Sequence, residues 1–381
     1  MRMSLISSAL VAALVGYGAS IAIILSAAAA LQATPAQTAS WIFALCLAKA
    51  VGSAALSLTS RVPVVLAWST PGAALIAATQ NVTMAQAVAA FLFAGVMIAV
   101  TGTMRPLGKI ISLIPDAVAA AMLAGVLLPF CLKGPLAAQS LPAITLPMVA
   151  VFLLVRLRNP ALAVLAALGV GLLLAFGLGT AALPPIGFAP PHLTVLHPEF
   201  RFDVIIGLGV PLYLITMASQ NLPGFATIRA AGYQPPVRAA LAVTGGLSAV
   251  TAFFGAHTTS VAAITAAICL GDDVHPDRNQ RWKVGLAYGA IWLGLGLASP
   301  LILRVLAVLP PDLMAAAVAL ALLAPLTGAL SSAMSAPTTR IAACVTLVVT
   351  ASGVAASGIG AAFWGLIAGL LVHGLEKLIA R

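Results

Sequence analysis

Runs of about 15–22 consecutive apolar residues, separated by short polar stretches, fill the chain almost end to end, the length a helix needs to cross a bilayer. The runs are continuous and rich in Ala and Leu. A barrel strand would instead alternate apolar and polar positions over roughly ten residues. The pattern therefore predicts an all-α polytopic membrane protein with about fourteen transmembrane segments. Their centres fall near Gly18, Ala50, Ala73, Ala94, Leu123, Ala150 and Gly169, then Tyr213, Gly246, Ile264, Trp292, Ala319, Val345 and Ile367. The first run, Leu5 to Leu31, exceeds a signal-peptide core and reads as a retained span.

Composition agrees and excludes other classes. The chain is 62% hydrophobic and 7% charged, against roughly 25% charged residues in a soluble domain. It cannot cover itself with charge, so lipid is its solvent. The net charge of +10 would suggest nucleic acid in a soluble protein. Here the cations flank apolar runs without an aromatic-interleaved patch, and no nucleic-acid partner is expected. With the N-terminus in the cytoplasm and one crossing per segment, the inner side receives Arg2, Arg61, Arg105, Lys109, Arg156, Arg158, Arg229, Arg238, Arg278, Arg281, Lys283, Arg340, Lys377 and Arg381. Only Lys133, Arg201 and Arg304 fall outside, and Lys49 lies within a span. That asymmetry is the positive-inside rule, and it supports the count of fourteen and two cytoplasmic termini. Cys46, Cys131, Cys269 and Cys344 lie in or at the ends of apolar runs without CxxC spacing, which does not suggest a disulfide framework.

Two stretches repeat. Leu113-Ile-Pro-Asp116 and Leu309-Pro-Pro-Asp312 each open an Ala-rich span. Pro suits the start of a helix, and Asp suits its positive end. The two would begin segments five and twelve. A shift of seven, an odd number, means that the halves enter the membrane from opposite sides, as in an inverted repeat.

Segments three and ten share a second oddity. Pro63-Val64-Val65 suits extended backbone, and Ser69-Thr70-Pro71-Gly72 then reads as a helix start in mid-span. In segment ten, Phe253-Phe254-Gly255 reads as extended and His257-Thr258-Thr259-Ser260 as the matching start. Irregular backbone at membrane depth survives only where protein or a cavity satisfies it. Paired half-helix starts in corresponding positions point to a transporter's binding site. Their N–H groups and dipoles favour an anion.

At these residues the chain resembles a known family. Val64-Val-Leu-Ala-Trp-Ser-Thr-Pro-Gly-Ala-Ala-Leu75, Gln220-Asn-Leu-Pro-Gly224 with Arg229-Ala-Ala-Gly-Tyr233, and Gly255-Ala-His257 with Ala262-Ala-Ile-Thr-Ala-Ala-Ile268 are similar to the BenE-type benzoate:proton symporters. The resemblance implies a carrier of the bacterial inner membrane for benzoate or a similar aromatic acid, driven by the proton gradient without a cofactor. More widely, it implies the architecture of uracil:proton symporters and sulfate permeases: two inverted seven-helix repeats, a core and a gate, and elevator-like movement between them. On that scheme residues 1–132 hold first-repeat core helices 1–4 and the first gate helix. Residues 133–200 hold the remaining first-repeat gate helices and the outer loop. Residues 201–305 hold core helices 8–11, and 306–381 the second-repeat gate helices. Carriers of this type often dimerise, which makes a homodimer a candidate assembly.

The candidate substrate-binding residues are Ser69, Thr70, Gly72, Gln220, Asn221, His257, Thr258, Thr259 and Tyr17, with Ser260 beside them. Hydroxyls and backbone N–H groups can hold a carboxylate without a full positive charge, although the same groups also serve as plain helix caps. His257, with an ordinary pKa of about 6.5, is either a proton carrier or a neutral ring satisfying backbone at the break. Lys49 is the second proton-coupling candidate, because an intramembrane charge is costly; a snorkelling or structural lysine is the alternative. Trp68, Phe253 and Phe254 offer an apolar wall for an aromatic ring. Uracil carriers place acidic residues in this region, whereas no carboxylate lies in the core spans here. Asp116 and Asp312 read as helix starts at the gate. Asp272, Asp273 and Asp277 sit in a solvated charged loop, and His192 and His197 lack a metal partner set. No P-loop, GxSxG, HExxH or zinc spacing appears, which argues against an enzyme. Another anion or a nucleobase as substrate, or an anion channel on the same architecture, remain the alternatives.

Overall fold

The computed structural model describes residues 2–18, 20–104, 115–160, 162–185, 187, 190–272, 274–357 and 359–379. Arg105, Lys109, Asp273, Arg381 and the Leu113 start of the first repeated motif lie outside them.

The fourteen expected segments are all present. The first is Met3–Gly18 followed by Ile21–Ala30, and the second Pro35–Ser60. The third joins strand β1, Leu66–Trp68, to a half-helix, Thr70–Ala77. Segments four to seven are Met84–Thr103, Asp116–Ser140, Pro142–Arg158 and Ala163–Gly177. Segment eight is Phe202–Ala230, interrupted by two π-helical turns, Ile205–Gly209 and Met217–Asn221. Segment nine is Val237–Ala252. Segment ten joins β2, Thr259–Val261, to Ile264–Leu270. Segments eleven to fourteen are Lys283–Ala307, Pro311–Ala333, Arg340–Ala351 and Ala361–Ile379. Among the described residues, eight helices are long and apolar enough to cross a bilayer unaided. The others are short or broken and depend on their neighbours.

Helix packing carries the signature of an inverted repeat. Segment two packs along segment eleven, and segment four along segment nine. A seven-segment exchange turns the first pair into the second. Segments six with seven, and thirteen with fourteen, form another exchanged pair, and segments five and twelve pack on each other. The relation extends to the broken elements: segment one packs on the half-helix of segment three, and segment eight on that of segment ten.

Small residues bring the paired helices into backbone contact, as membrane interfaces require in the absence of a hydrophobic driving force between helices. A Cβ on Gly245 would overlap the Ala99 backbone nitrogen, and one on Gly95 would lie 2.6 Å from that of Ala249. Residues 95 and 99 on one helix, and 245 and 249 on the other, make a small-xxx-small stripe on each. Segments two and eleven meet the same way: a Cβ on Gly285 would overlap Ser57 Oγ, and one on Gly289 would lie 2.7 Å from the Ala50 carbonyl oxygen.

Two expectations about segment ten need correction. Phe253-Phe254-Gly255 is a turn closing segment nine, with Gly255 at φ +86°, a conformation that suits glycine. The second half-helix starts at Ile264, several residues later than His257–Ser260. The β-branched residues Thr258, Thr259 and Val261 instead favour extended backbone, and β2 finds a partner in β1.

Candidate functional site

At the centre, β1 and β2 pair antiparallel, with Leu66 opposite Val261, Ala67 opposite Ser260 and Trp68 opposite Thr259. Ser69 N–H donates to the Thr258 carbonyl (2.9 Å), and Ala262 N–H to the Val65 carbonyl (3.0 Å). A half-helix leaves from the end of each strand. Two short strands cannot satisfy their outer edges, so side chains from the surrounding spans do it. Ser57 Oγ accepts from Val64 N–H (3.0 Å) and donates to its carbonyl (2.9 Å). Ser53 Oγ accepts from Leu66 N–H (3.0 Å), and the Tyr288 hydroxyl donates to the Leu66 carbonyl (3.0 Å). Across the pair, Ser248 Oγ accepts from Thr259 N–H (2.9 Å) and Asn221 Oδ1 from Val261 N–H (2.9 Å). Asn221 thus ties segment eight to β2, and Gln220 sits half-buried in the same π-helical turn.

The first half-helix starts where the sequence places it. Ser69 is the N-cap, its Oγ accepting from Gly72 N–H at 3.1 Å, and Pro71 lies in the first turn. Gly72 serves close packing: a Cβ there would meet Leu212 Cδ1 at 2.6 Å and Ser69 Oγ at 2.8 Å. Thr216 Oγ1 donates to Ser69 Oγ (3.1 Å) and lies 2.7 Å from Thr258 Oγ1. A hydroxyl has one proton, so Thr258 is the donor in that second contact. Thr258, Thr216 and Ser69 therefore form a hydroxyl chain joining both broken segments to segment eight. All three are buried, as are Thr259 and Ser260, while Thr70 is half-buried.

His257 is a strut in this arrangement. Trp41 Nε1–H, which can only donate, points at His257 Nδ1 at 3.0 Å. Nδ1 is thus the acceptor. The ring proton sits on Nε2 and is donated to the Ser69 carbonyl at 3.1 Å. Both nitrogens of this neutral tautomer are engaged, and a second proton on Nδ1 would collide with the Trp41 donor.

Tyr17, Trp68, Trp292 and Tyr288 form an aromatic box beside β1. Ring centroids are 5.7 Å apart for Tyr17–Trp68, 5.0 Å for Trp68–Trp292 and 5.9 Å for Tyr288–Trp292. Trp68 Nε1–H donates to Ser20 Oγ, and that hydroxyl to the Gly16 carbonyl, across the break in segment one. Lys49 reaches into the box, with Nζ 3.6 Å from the Trp68 centroid and 3.0 Å from that of Trp292. Of the three expected wall residues, Trp68 is part of the box, and Phe253 and Phe254 lie in the turn that ends segment nine. A separate cavity of about 600 Å³ lies between segments three, five, eight and thirteen, lined by Leu75, Val82, Lys133, Arg201 and Thr350 among others.

Comparison with known proteins decides the family. The benzoate membrane transport protein model, BenE, matches residues 1–375. The chain belongs to the BenE family. The Acinetobacter baylyi benzoate membrane transport protein is 32% identical to this BenE chain, over 95% of it and 92% of the relative. The inner membrane protein YdcO of Escherichia coli is 40% identical, over 97% and 95%. Among solved structures, the transmembrane domain of the cyanobacterial bicarbonate transporter BicA matches with a TM-score of 0.61, at 13% identity, over 99% of this chain and 98% of that one. That likeness shows the fold alone. This BenE chain is a multi-pass membrane transporter with the seven-plus-seven inverted-repeat fold.

Sequence reading missed Trp41, Trp292, Tyr288, Thr216 and the hydroxyls that satisfy the strands. Some were visible. Cys46, Lys49, Ser53 and Ser57 recur at helical spacing on one face of segment two, and Thr216 opens the polar run to Asn221 in segment eight.

Proposed function

We propose that this BenE-family transporter carries benzoate or a similar small aromatic carboxylate inward with a proton, by alternating access, with both termini cytoplasmic. The observation that carries this reading is an aromatic box adjoining the half-helix start at Ser69–Gly72. The helix end and the hydroxyls of Thr70 and its neighbours suit a carboxylate, and the faces of Tyr17 and Trp68 suit an aromatic ring. The relative named for benzoate supports the substrate class. The site is sealed in this conformation, and the cavity holding Lys133 and Arg201 serves as the outer approach to it. The hydroxyl chain from Ser69 through Thr216 to Thr258 makes segment eight the element that senses both halves of the site.

A ligand screen by thermal unfolding in detergent tests the substrate class. An anion at about a hundred times its dissociation constant stabilises by about 2.7 kcal/mol. Benzoate is expected to raise the unfolding temperature, and bicarbonate, sulfate and uracil to leave it unchanged. Stabilisation by one of those three and none by benzoate would overturn the assignment.

A further inference from the structure

Lys49, when protonated, is a cation without an anion. Its side chain is 1% exposed, and neither ion pair among the described residues includes it. Among the described residues, the titratable groups around it are Cys46 one turn earlier on its own helix, His257 from segment ten, and Tyr17 and Tyr288, which share its box from segments one and eleven. None is a carboxylate. An unpaired charge away from water costs several kcal/mol. Contact with an aromatic face returns about 0.5–2 kcal/mol, so Trp68 and Trp292 offset only part of that cost.

The box also holds a spare donor. Tyr17 OH is buried without a hydrogen-bond partner among the described residues, while Trp292 Nε1 faces the Tyr288 hydroxyl. A phenol that can donate, together with an ammonium, calls for one acceptor-only group. An ionised carboxylate is that group. It would arrive from the Ser69 side, because Trp68, a wall of the box, immediately precedes the half-helix cap.

We propose that Lys49 is the coupling group: it takes up a proton together with the substrate carboxylate, and the ammonium–carboxylate pair crosses with no net charge. The inference deepens the carrier reading above and rests on it. A proton from the outer water bonds to the Nζ lone pair as the anion enters. Inside, the anion leaves, the ammonium loses its partner, and the proton passes to the cytoplasmic water. One proton and one monovalent anion move per cycle, so transport is electroneutral. His257, with both nitrogens committed, takes no part in carrying the proton.

Proton uptake on adding benzoate to purified carrier, followed with a dye in weak buffer, tests this, alongside transport in liposomes. Wild-type protein is expected to take up one proton per benzoate bound. Lys49→Met is expected to take up none and to bind benzoate about tenfold more weakly or worse. Lys49→Arg, whose charge is permanent, is expected to exchange benzoate for benzoate but not to accumulate it against a pH gradient. Unchanged proton uptake in Lys49→Met, or gradient-driven accumulation by Lys49→Arg, would overturn the proposal and leave the carrier reading standing. Failure of wild-type protein to bind benzoate would instead sink the carrier reading.

Discussion

His257→Ala is expected to abolish transport and lower the unfolding temperature by many degrees, while His257→Gln keeps both the fold and the pH dependence of uptake. In the Ala variant the Trp41 indole N–H loses its partner at full burial, and the Ser69 carbonyl keeps only Ala73 N–H. The buried orphan donor costs about 1–3 kcal/mol, and the ring's volume becomes a cavity that adds to this. The loss falls on the residue that caps the first half-helix, so the cradle is disordered along with the strut. Gln retains an N–H for the Ser69 carbonyl and an oxygen on the Trp41 side. Uptake measured across pH separates a strut from a proton carrier. A flattened pH profile in His257→Gln with substrate binding intact would show that the imidazole carries the proton after all.

The second large effect concerns the fold. Gly245→Val is expected to yield no monodisperse carrier from detergent extracts, whereas Gly246→Val behaves like wild type. A side chain at 245 meets backbone: its Cβ would overlap Ala99 N and lie 2.7 Å from the Gly95 carbonyl oxygen, and no rotamer removes a Cβ. Segments four and nine would have to move apart, at a cost well above the roughly 1–3 kcal/mol of ordinary overpacking. At the adjacent Gly246 a Cβ would meet nothing within 4 Å, which makes that position the control for helix propensity and expression. Size-exclusion profiles of the two variants decide the point. Equal recovery of both would show that the close crossing of these helices is dispensable.

Much of this architecture is legible in the sequence because bilayer thickness forces long apolar runs and because Pro and hydroxyl residues mark helix starts. Ser69 and Pro71 announce the first half-helix correctly. A local reading places the second too early, because Thr258, Thr259 and Ser260 look like caps. Only the pairing of Thr259–Val261 with Leu66–Trp68, nearly two hundred residues away, makes them a strand. Long-range partnership also hides the role of His257: nothing in its neighbourhood along the chain points to Trp41. Lys49 stands out as an intramembrane charge, but its aromatic box is drawn from three segments distant in sequence. Nor does the sequence around Asn221 show that its side-chain oxygen accepts from Val261 N–H.

The centre of the molecule is a crossing held by side-chain hydrogen bonds, with a lone lysine and an unpartnered tyrosine hydroxyl on one flank. The alternating-access account requires that crossing to deliver an aromatic anion and a proton together. Uptake of labelled benzoate into liposomes containing the purified protein, with membrane potential clamped at zero and the outside acidic, tests this most directly. Saturable accumulation above that of protein-free liposomes, lost when a protonophore collapses the pH gradient, is the result predicted. Uptake no greater than in protein-free liposomes, or protein-dependent uptake indifferent to the gradient, would contradict it.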